Sequence, residues 1–120
     1  MIVLDASAVL AFLQGEPGAD RVEAVLPEAT IGAANWSEVA QKIRAGGGDW
    51  SLAAGILASY GMAVEAVGVQ DAETAAGLWR KGEGLSLGDR LCLALAQRLG
   101  LSVLTADRGW GDRDGVEQLR

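Results

Sequence analysis

Four acidic residues occupy positions from which they could act together. Asp5 and Asp107 each come at the end of a short apolar run, and Glu38 and Asp89 each follow a turn and open a predicted helix. Carboxylates are hard oxygen ligands that suit Mg²⁺, with Mn²⁺ as the alternative. A divalent cation held in this way can activate a water and stabilise a phosphodiester during its transfer.

The composition excludes several other chemistries. The sequence contains no histidine and one cysteine, Cys92. Nucleophile systems that depend on histidine, zinc sites built on histidine, and internal disulfides are therefore ruled out. The formal net charge of −6 argues against broad electrostatic attraction of nucleic acid. Any nucleic acid would have to be bound by a local group of basic residues.

The elements that position the four acids alternate between strand and helix. Apolar runs predict strands, and runs with helical spacing or helix caps predict helices. The predicted strands are residues 2–4, 29–33, 62–69, 101–104 and 116–119, and the predicted helices are residues 8–14, 19–26, 35–44, 50–60, 71–81 and 89–99. Alternation of this kind predicts an α/β fold, a three-layer α/β/α sandwich with a central, mostly parallel sheet.

The chain is expected to form one domain over residues 1–120, because nothing in it resembles a linker or a repeat. Ligands of open α/β sheets bind at the carboxyl ends of the strands. If the first strand and the strand before Asp107 are neighbours, Asp5 and Asp107 meet at that edge. No apolar run reaches the ~20 residues of a membrane span. Met1 leads directly into the first strand, so we expect a cytoplasmic protein.

Each acid also has a purely structural explanation. Asp5 can cap the first helix, and the pairs Asn35–Glu38 and Ser86–Asp89 have the spacing of capping boxes. The four acids taken together are what indicates a site, because several carboxylates at one sheet edge would repel one another. Like charges 4 Å apart repel by ~4 kcal/mol per pair at an effective dielectric constant of ~20. A divalent cation would remove that repulsion.

Four segments, taken in order, resemble the PIN-domain ribonucleases, and in size the chain looks like the VapC toxins of bacterial toxin–antitoxin pairs. The segments are Val3-Leu4-Asp5-Ala6-Ser7-Ala8, Asn35-Trp36-Ser37-Glu38-Val39, the helix that starts Leu87-Gly88-Asp89-Arg90, and Val103-Leu104-Thr105-Ala106-Asp107-Arg108-Gly109-Trp110. No single segment is specific, but their order over essentially the whole chain is. One departure is Ala6, where the family often has Ser.

The resemblance implies a metal-dependent endoribonuclease that hydrolyses RNA. Asp5, Glu38, Asp89 and Asp107 match the family's catalytic acidic cluster, and Asp5 and Asp89 match its principal magnesium ligands. Ser7 and Thr105 match hydroxyls near the metal. Asp107 is the least secure ligand, because Asp112 and Asp114 are close enough in sequence to replace it.

Substrate contacts are expected from basic residues beside the acids. Arg90 and Arg108 follow Asp89 and Asp107 directly, and Lys42, Arg44, Arg80 and Lys81 could extend a path for phosphates. Most of them have a simpler explanation as solvated surface charges.

The resemblance also implies partners. The family pairs with a small VapB-like antitoxin whose tail lies across the toxin groove, and its members commonly form homodimers. The alternatives left open are a PIN-domain nuclease of RNA processing that is not a toxin, and a catalytically inert PIN-like binding module. A haloacid-dehalogenase-type phosphatase would need a second Asp where Ser7 stands.

Overall fold

The computed structural model describes residues 1–120, with five strands and six α-helices. The strands are β1 (Ile2–Leu4), β2 (Ala29–Gly32), β3 (Ala63–Glu65), β4 (Val103–Thr105) and β5 (Val116–Gln118). The helices are α1 (Ala6–Leu13), α2 (Ala19–Val25), α3 (Ala33–Ala45), α4 (Trp50–Ser59), α5 (Val69–Gly77) and α6 (Leu87–Leu99), with short 3₁₀ helices at Leu26–Glu28 and Arg108–Trp110.

The strands form one sheet in the order β3-β2-β1-β4-β5, and every neighbouring pair is parallel. The α/β sandwich is thus confirmed, with a sheet that is parallel throughout. β1 is the central strand and pairs with β2 on one side and β4 on the other. Because β1 and β4 are neighbours, the residues that follow them emerge at the same edge.

Side chains alternate between the two faces of the sheet, as the twofold period of a strand requires. Leu4, Ile31 and Leu104 face a core shared with α1 to α4, whereas Val3 and Val103 face a second core built with α6. Each face is therefore covered by helices, which explains the continuous apolar runs in the sequence. No helix in the structure is both long and apolar enough to cross a bilayer.

Helix α5 corrects two sequence predictions. Strand β3 ends at Glu65 rather than running to residue 69, and α5 begins at Val69 with Gly68 as its cap. The Gly68 N–H donates to the Asp71 carboxylate at 3.0 Å, which fixes this early start. The helix then ends at Gly77 rather than at residue 81, so Trp79 lies beyond it and is 58% exposed.

Helix α3 corrects a third sequence prediction, the capping box at its start. The Asn35–Glu38 pair is not a capping box, because β2 runs into the helix without a loop and Gly32 is the cap. Asn35 is consequently inside the helix and buried. The similar Ser86–Asp89 spacing is a true capping box at the start of α6, with both reciprocal bonds present. Asp5 is also confirmed as the cap of α1.

Candidate metal centre

The parallel pairing of β1 with β4 places Asp5 beside the segment that leads to Asp107. Leu4 lies opposite Leu104, and the Asp5 N–H donates to the Leu104 carbonyl at 3.3 Å. This is the carboxyl edge of the sheet, where open α/β folds bind ligands. The first step of the predicted site geometry therefore follows from the strand order alone.

Asp5 is the most deeply buried of the four acids, with 3% of its surface exposed. Its carboxylate accepts the Ala8 N–H at 2.9 Å and the Ser7 hydroxyl at 2.7 and 2.9 Å. It also accepts the Thr105 hydroxyl. Asp5 is thus both a helix cap and a buried carboxylate aimed at the sheet edge, so the two explanations of this residue are compatible.

Ser7 and Thr105 join the ends of β1 and β4. The Ser7 Oγ accepts the Ala106 N–H at 2.9 Å and lies 3.2 Å from the Thr105 Oγ1. Thr105 in turn accepts the Asp107 N–H at 3.0 Å. Both hydroxyls therefore orient Asp5 and fix the backbone that carries Asp107, as is common for groups that support a metal ligand.

Glu38 projects from α3 toward the start of α6. The Asn35 Nδ2 donates to its Oε1 at 2.7 Å and to the Gly88 carbonyl at 3.2 Å. A Cβ added to Gly88 would lie 2.7 Å from the Glu38 Oε2, so any other residue here would displace the end of the Glu38 side chain. Asn35 and Gly88 together hold Glu38 against the residue that precedes Asp89.

Asp89 and Asp107 sit at helix starts and keep part of their oxygen surface free. The Asp89 Oδ2 accepts the Ser86 N–H at 3.0 Å. The Asp107 Oδ1 accepts the Gly109 N–H at 2.8 Å, and Asp107 is exposed. Carboxylates near helix N-termini are stabilised by the helix dipole.

All four acids line one cleft. Ala6, Ser7, Leu10 and Lys42 complete its walls. None of the four carboxylates takes part in a salt bridge. As the side chains lie, no three of them are close enough to ligate one ion, and each accepts a hydrogen bond from a nearby donor.

Asp112 and Asp114 lie elsewhere. Asp112 lines a neighbouring depression with Arg108, and Asp114 lines a cavity beside α6. Of the three acids near the end of β4, only Asp107 is in the acidic cleft.

The charges in the cleft act on two buried groups. Burial raises the pKa of Asp5 to about 6, against the hydrogen bonds from Thr105, Ala8 and Ser7, and the charge of Asp89 raises it further. Burial also raises the pKa of the Cys92 thiol, and the carboxylates of Asp5, Asp89 and Glu38 add to this rise.

The donor set fits a hard divalent cation. It consists of carboxylates and hydroxyls, without histidine or thiolate ligands. Lys42 lines the same cleft but forms no salt bridge with any of the four carboxylates. Because Gly88 has no Cβ, the end of the Glu38 side chain fits beside it and lines the cleft.

The two arginines predicted to bind substrate are placed differently. The Arg90 Nη1 donates to the Ala75 carbonyl of α5 at 2.9 Å, which directs that side chain away from the cleft. Arg108 is exposed in the depression next to Asp107. Lys42, one of the basic residues offered as a path for phosphates, does line the cleft. Asn35 and Gly88 are the residues whose support of the cleft the sequence did not reveal. The spacing of Asn35 from Glu38 is a signal of their contact, although that spacing predicts a cap.

Comparison with known proteins agrees with this architecture. The family model of the PIN domain matches residues 2–116. A toxin–antitoxin complex from Klebsiella pneumoniae contains a chain with a TM-score of 0.81 at 21% identity, covering 100% of this chain and 98% of that one. The sarcin-ricin loop cleaving toxin VapC20 of Mycobacterium tuberculosis has a TM-score of 0.70 at 20% identity, covering 96% and 92%.

No protein of curated function is similar enough in sequence to count as a match. At these identities the two solved structures establish the fold. The family match covers nearly all of the sequence, from β1 into β5. The chain therefore belongs to the PIN-domain family.

Proposed function

We propose that the protein is a metal-dependent endoribonuclease that hydrolyses RNA phosphodiester bonds, with Mg²⁺ as the ion and Mn²⁺ as the alternative. The observation that carries this proposal is the cleft at the carboxyl edge of β1 and β4, which is lined by four carboxylates that form no salt bridge. Such a concentration of negative charge is costly unless a cation is bound.

Asp5 and Asp89 would hold the ion directly, and Glu38 and Asp107 would hold it through water or bind a second ion. Asp5 is fixed by three donors, whereas Asp107 is exposed and its carboxylate accepts one hydrogen bond, from the Gly109 N–H. When bound, a divalent cation lowers the pKa of water and offsets charge on the phosphate. Ser7 and Thr105 keep Asp5 oriented, and Asn35 keeps Glu38 oriented.

The experiment is RNA cleavage by Asp5→Asn and Asp89→Asn proteins in the presence of Mg²⁺. Each substitution should lower kcat by about a hundredfold or more, because it removes a charged metal ligand. Asp112→Asn is the control, since Asp112 is an exposed acid in the neighbouring depression. Full metal-dependent cleavage by the Asp5→Asn protein would refute the assignment.

We further propose that this nuclease is a VapC-type toxin that pairs with a VapB-like antitoxin and forms a homodimer in the cytoplasm. The similarity of fold to a chain of a toxin–antitoxin complex supports the pairing. An acidic cleft would attract an Arg or Lys of the antitoxin. Exposed Leu52 and Ile56 of α4 and Val64 of the edge strand β3 offer apolar surface for a dimer contact.

The test of the pairing is induction of the protein with and without the product of the neighbouring reading frame. Growth arrest and new RNA ends only in the absence of that product support a toxin. RNA cleavage without arrest favours the other nuclease, a PIN-domain enzyme of RNA processing.

One observation favours the second alternative, an inert PIN-like binding module. No three carboxylates lie close enough together to ligate one ion as the side chains are arranged. Isothermal titration with Mg²⁺ and Mn²⁺ separates the two cases, because a nuclease must bind one of these ions and an inert module need not.

A further inference from the structure

Lys42 lies in the acidic cleft but pairs with none of its carboxylates. It is exposed on α3 and lines the same cleft as Asp5, Glu38 and Asp89. Arg21, Arg98, Arg113 and Arg120 form salt bridges with acidic side chains. The other basic side chains form none, but of these only Lys42 lines the acidic cleft. A basic side chain that is surrounded by acids and still unpaired needs an explanation.

The explanation lies in the restraint of Glu38. Glu38 precedes Lys42 by four residues on one helix, the spacing and the order that favour an ion pair. Here the Glu38 carboxylate instead accepts the Asn35 amide at 2.7 Å and packs against Gly88. Asn35 and Gly88 therefore keep Glu38 away from Lys42, and the ammonium group stays available for another anion.

The sheet order places a second cation across the cleft. Lys42 belongs to the helix that follows β2, on one side of β1, and Arg108 follows β4, on the other side. Arg108 is exposed, forms no salt bridge, and lines the depression that adjoins the cleft at Asp107. A strand of nucleic acid that crosses the four acids would thus meet one unpaired cation on each side.

We infer that Lys42 binds a backbone phosphate of the RNA next to the phosphodiester that is cut, with Arg108 as the matching contact on the far side. The inference rests on the proposed ribonuclease function. With a net charge of −6 the protein as a whole repels RNA, so the phosphates must be recruited by local cations. An ammonium group suits this role, because it binds a phosphate oxygen as a point charge in many orientations.

The experiment compares Lys42→Gln with Arg44→Gln. The sequence offered Arg44 as part of the same path for phosphates, but the structure places it outside the cleft. It lies two residues further along α3, is exposed and forms no salt bridge, which makes it the matched control. Cleavage of a single-stranded oligoribonucleotide is measured with Mg²⁺ over a range of KCl concentrations. Binding of the same oligonucleotide to Asp89→Asn protein, with and without Lys42→Gln, is measured by fluorescence anisotropy.

The Lys42→Gln protein should show a KM raised about tenfold with kcat nearly unchanged. The plot of log(kcat/KM) against log[KCl] should become shallower by about 0.7, the value for one phosphate contact on a single strand. Lys42→Arg should restore both values, and Arg44→Gln should change neither.

Equal KM values and salt slopes for Lys42→Gln and Arg44→Gln would overturn the inference and leave the ribonuclease proposal intact. A fall in kcat at unchanged KM would also overturn it, because Lys42 would then act on the reaction rather than on binding. RNA binding that depends on Lys42, in a protein that cleaves no RNA, would instead refute the ribonuclease proposal. A protein that neither binds nor cleaves RNA would refute both.

Discussion

Thr105, the last residue of β4, donates a hydrogen bond to the carboxylate of Asp5, the residue that follows β1. Two segments from opposite ends of the sequence thereby become one wall of the acidic cleft. The same hydroxyl accepts the Asp107 N–H, so it also shapes the turn that presents the second acid.

Thr105→Val should weaken metal binding while leaving the fold in place. Valine has the same shape but cannot donate to Asp5 or accept from Asp107, so the two acids lose their common support. We expect the Mg²⁺ concentration for half-maximal cleavage to rise about tenfold and the free energy of unfolding to fall by about 1–2 kcal/mol. Thr30→Val on β2 is the control, because Thr30 is buried and has no side-chain hydrogen bond to either acid. An equal loss of Mg²⁺ affinity in both variants would contradict this role.

Asp5→Asn should stabilise the metal-free protein at neutral pH. The pKa of Asp5 is raised by burial to about 6, from 3.8 when unfolded. The folded protein therefore binds the proton of Asp5 more tightly than the unfolded chain does. This tighter binding stabilises the fold fully below pH 3.8, and the stabilisation is lost as the pH rises through about 6.

The difference in unfolding free energy between the Asn variant and the wild type should therefore grow by up to about 3 kcal/mol from pH 4 to pH 7 in EDTA. Urea denaturation at the two pH values measures it, and Asp112→Asn serves as the exposed control. A difference independent of pH would show that Asp5 is not destabilised by its burial. Added Mg²⁺ should stabilise the wild type and not the Asn variant.

Arg98→Ala should destabilise the packing of α5 on α6. The Arg98 Nε donates to the Asp71 Oδ1 at 2.8 Å, and Asp71 is buried at the start of α5. Its hydrogen bond to Arg98 holds the pKa of Asp71 below 3.8. Removal of the guanidinium leaves the Asp71 carboxylate without its cation and should lower the free energy of unfolding, but by less than the loss of a fully buried pair, because the Arg98 side chain is 38% exposed.

The contribution of the Arg98–Asp71 pair to stability changes with pH in the opposite direction to that of Asp5. Because the folded pKa of Asp71 is lowered, the pair stabilises the protein above pH 3.8 and loses this effect as the pH falls through the folded value. Thermal denaturation of Arg98→Ala should accordingly show a smaller loss of stability between pH 5 and pH 3 than the wild type. Arg80→Ala is the control, since the Arg80 side chain contacts only nearby carbonyls at the surface.

Gly88→Ala should lower RNA cleavage through Glu38. The new Cβ would meet both carboxylate oxygens of Glu38, at 2.7 and 2.8 Å, and push that side chain out of its place. We expect cleavage to fall by about tenfold or more. Gly55→Ala in α4 is the control, because its Cβ would meet nothing within 4 Å. That substitution should leave activity unchanged and stabilise the protein by about 0.5–1 kcal/mol. Wild-type activity in Gly88→Ala would remove Glu38 from the proposed site.

The fold class and the positions of Asp5 and Asp107 at strand ends were predictable because they depend on local patterns. Short apolar runs that end in an acid are typical of buried parallel strands. The sequence left open whether β1 and β4 are neighbours, and the structure shows that they are. The position of Glu38 could not be predicted in the same way. Its orientation depends on a contact between Asn35 and the Gly88 carbonyl, two residues far apart in sequence.

The two capping-box patterns illustrate the same limit. Ser86–Asp89 and Asn35–Glu38 have identical spacing, yet only the first caps a helix. The difference comes from what precedes each pair. A loop leads to Ser86, whereas β2 passes directly into α3 and moves the helix start ahead of Asn35. The spacing thus predicted a contact that exists, the hydrogen bond from Asn35 to Glu38, but this bond orients Glu38 and does not cap the helix.

The pairing of β1 with β4 also determines when the cleft can exist during synthesis. A ribosome releases the segment of Asp5 first, but its neighbour strand and the hydroxyl of Thr105 emerge 100 residues later. A nascent chain that stops before Val103 lacks one wall of the cleft and the support of its first acid. Whatever chemistry the cleft performs is therefore withheld from nascent chains in which β4 has not yet been made.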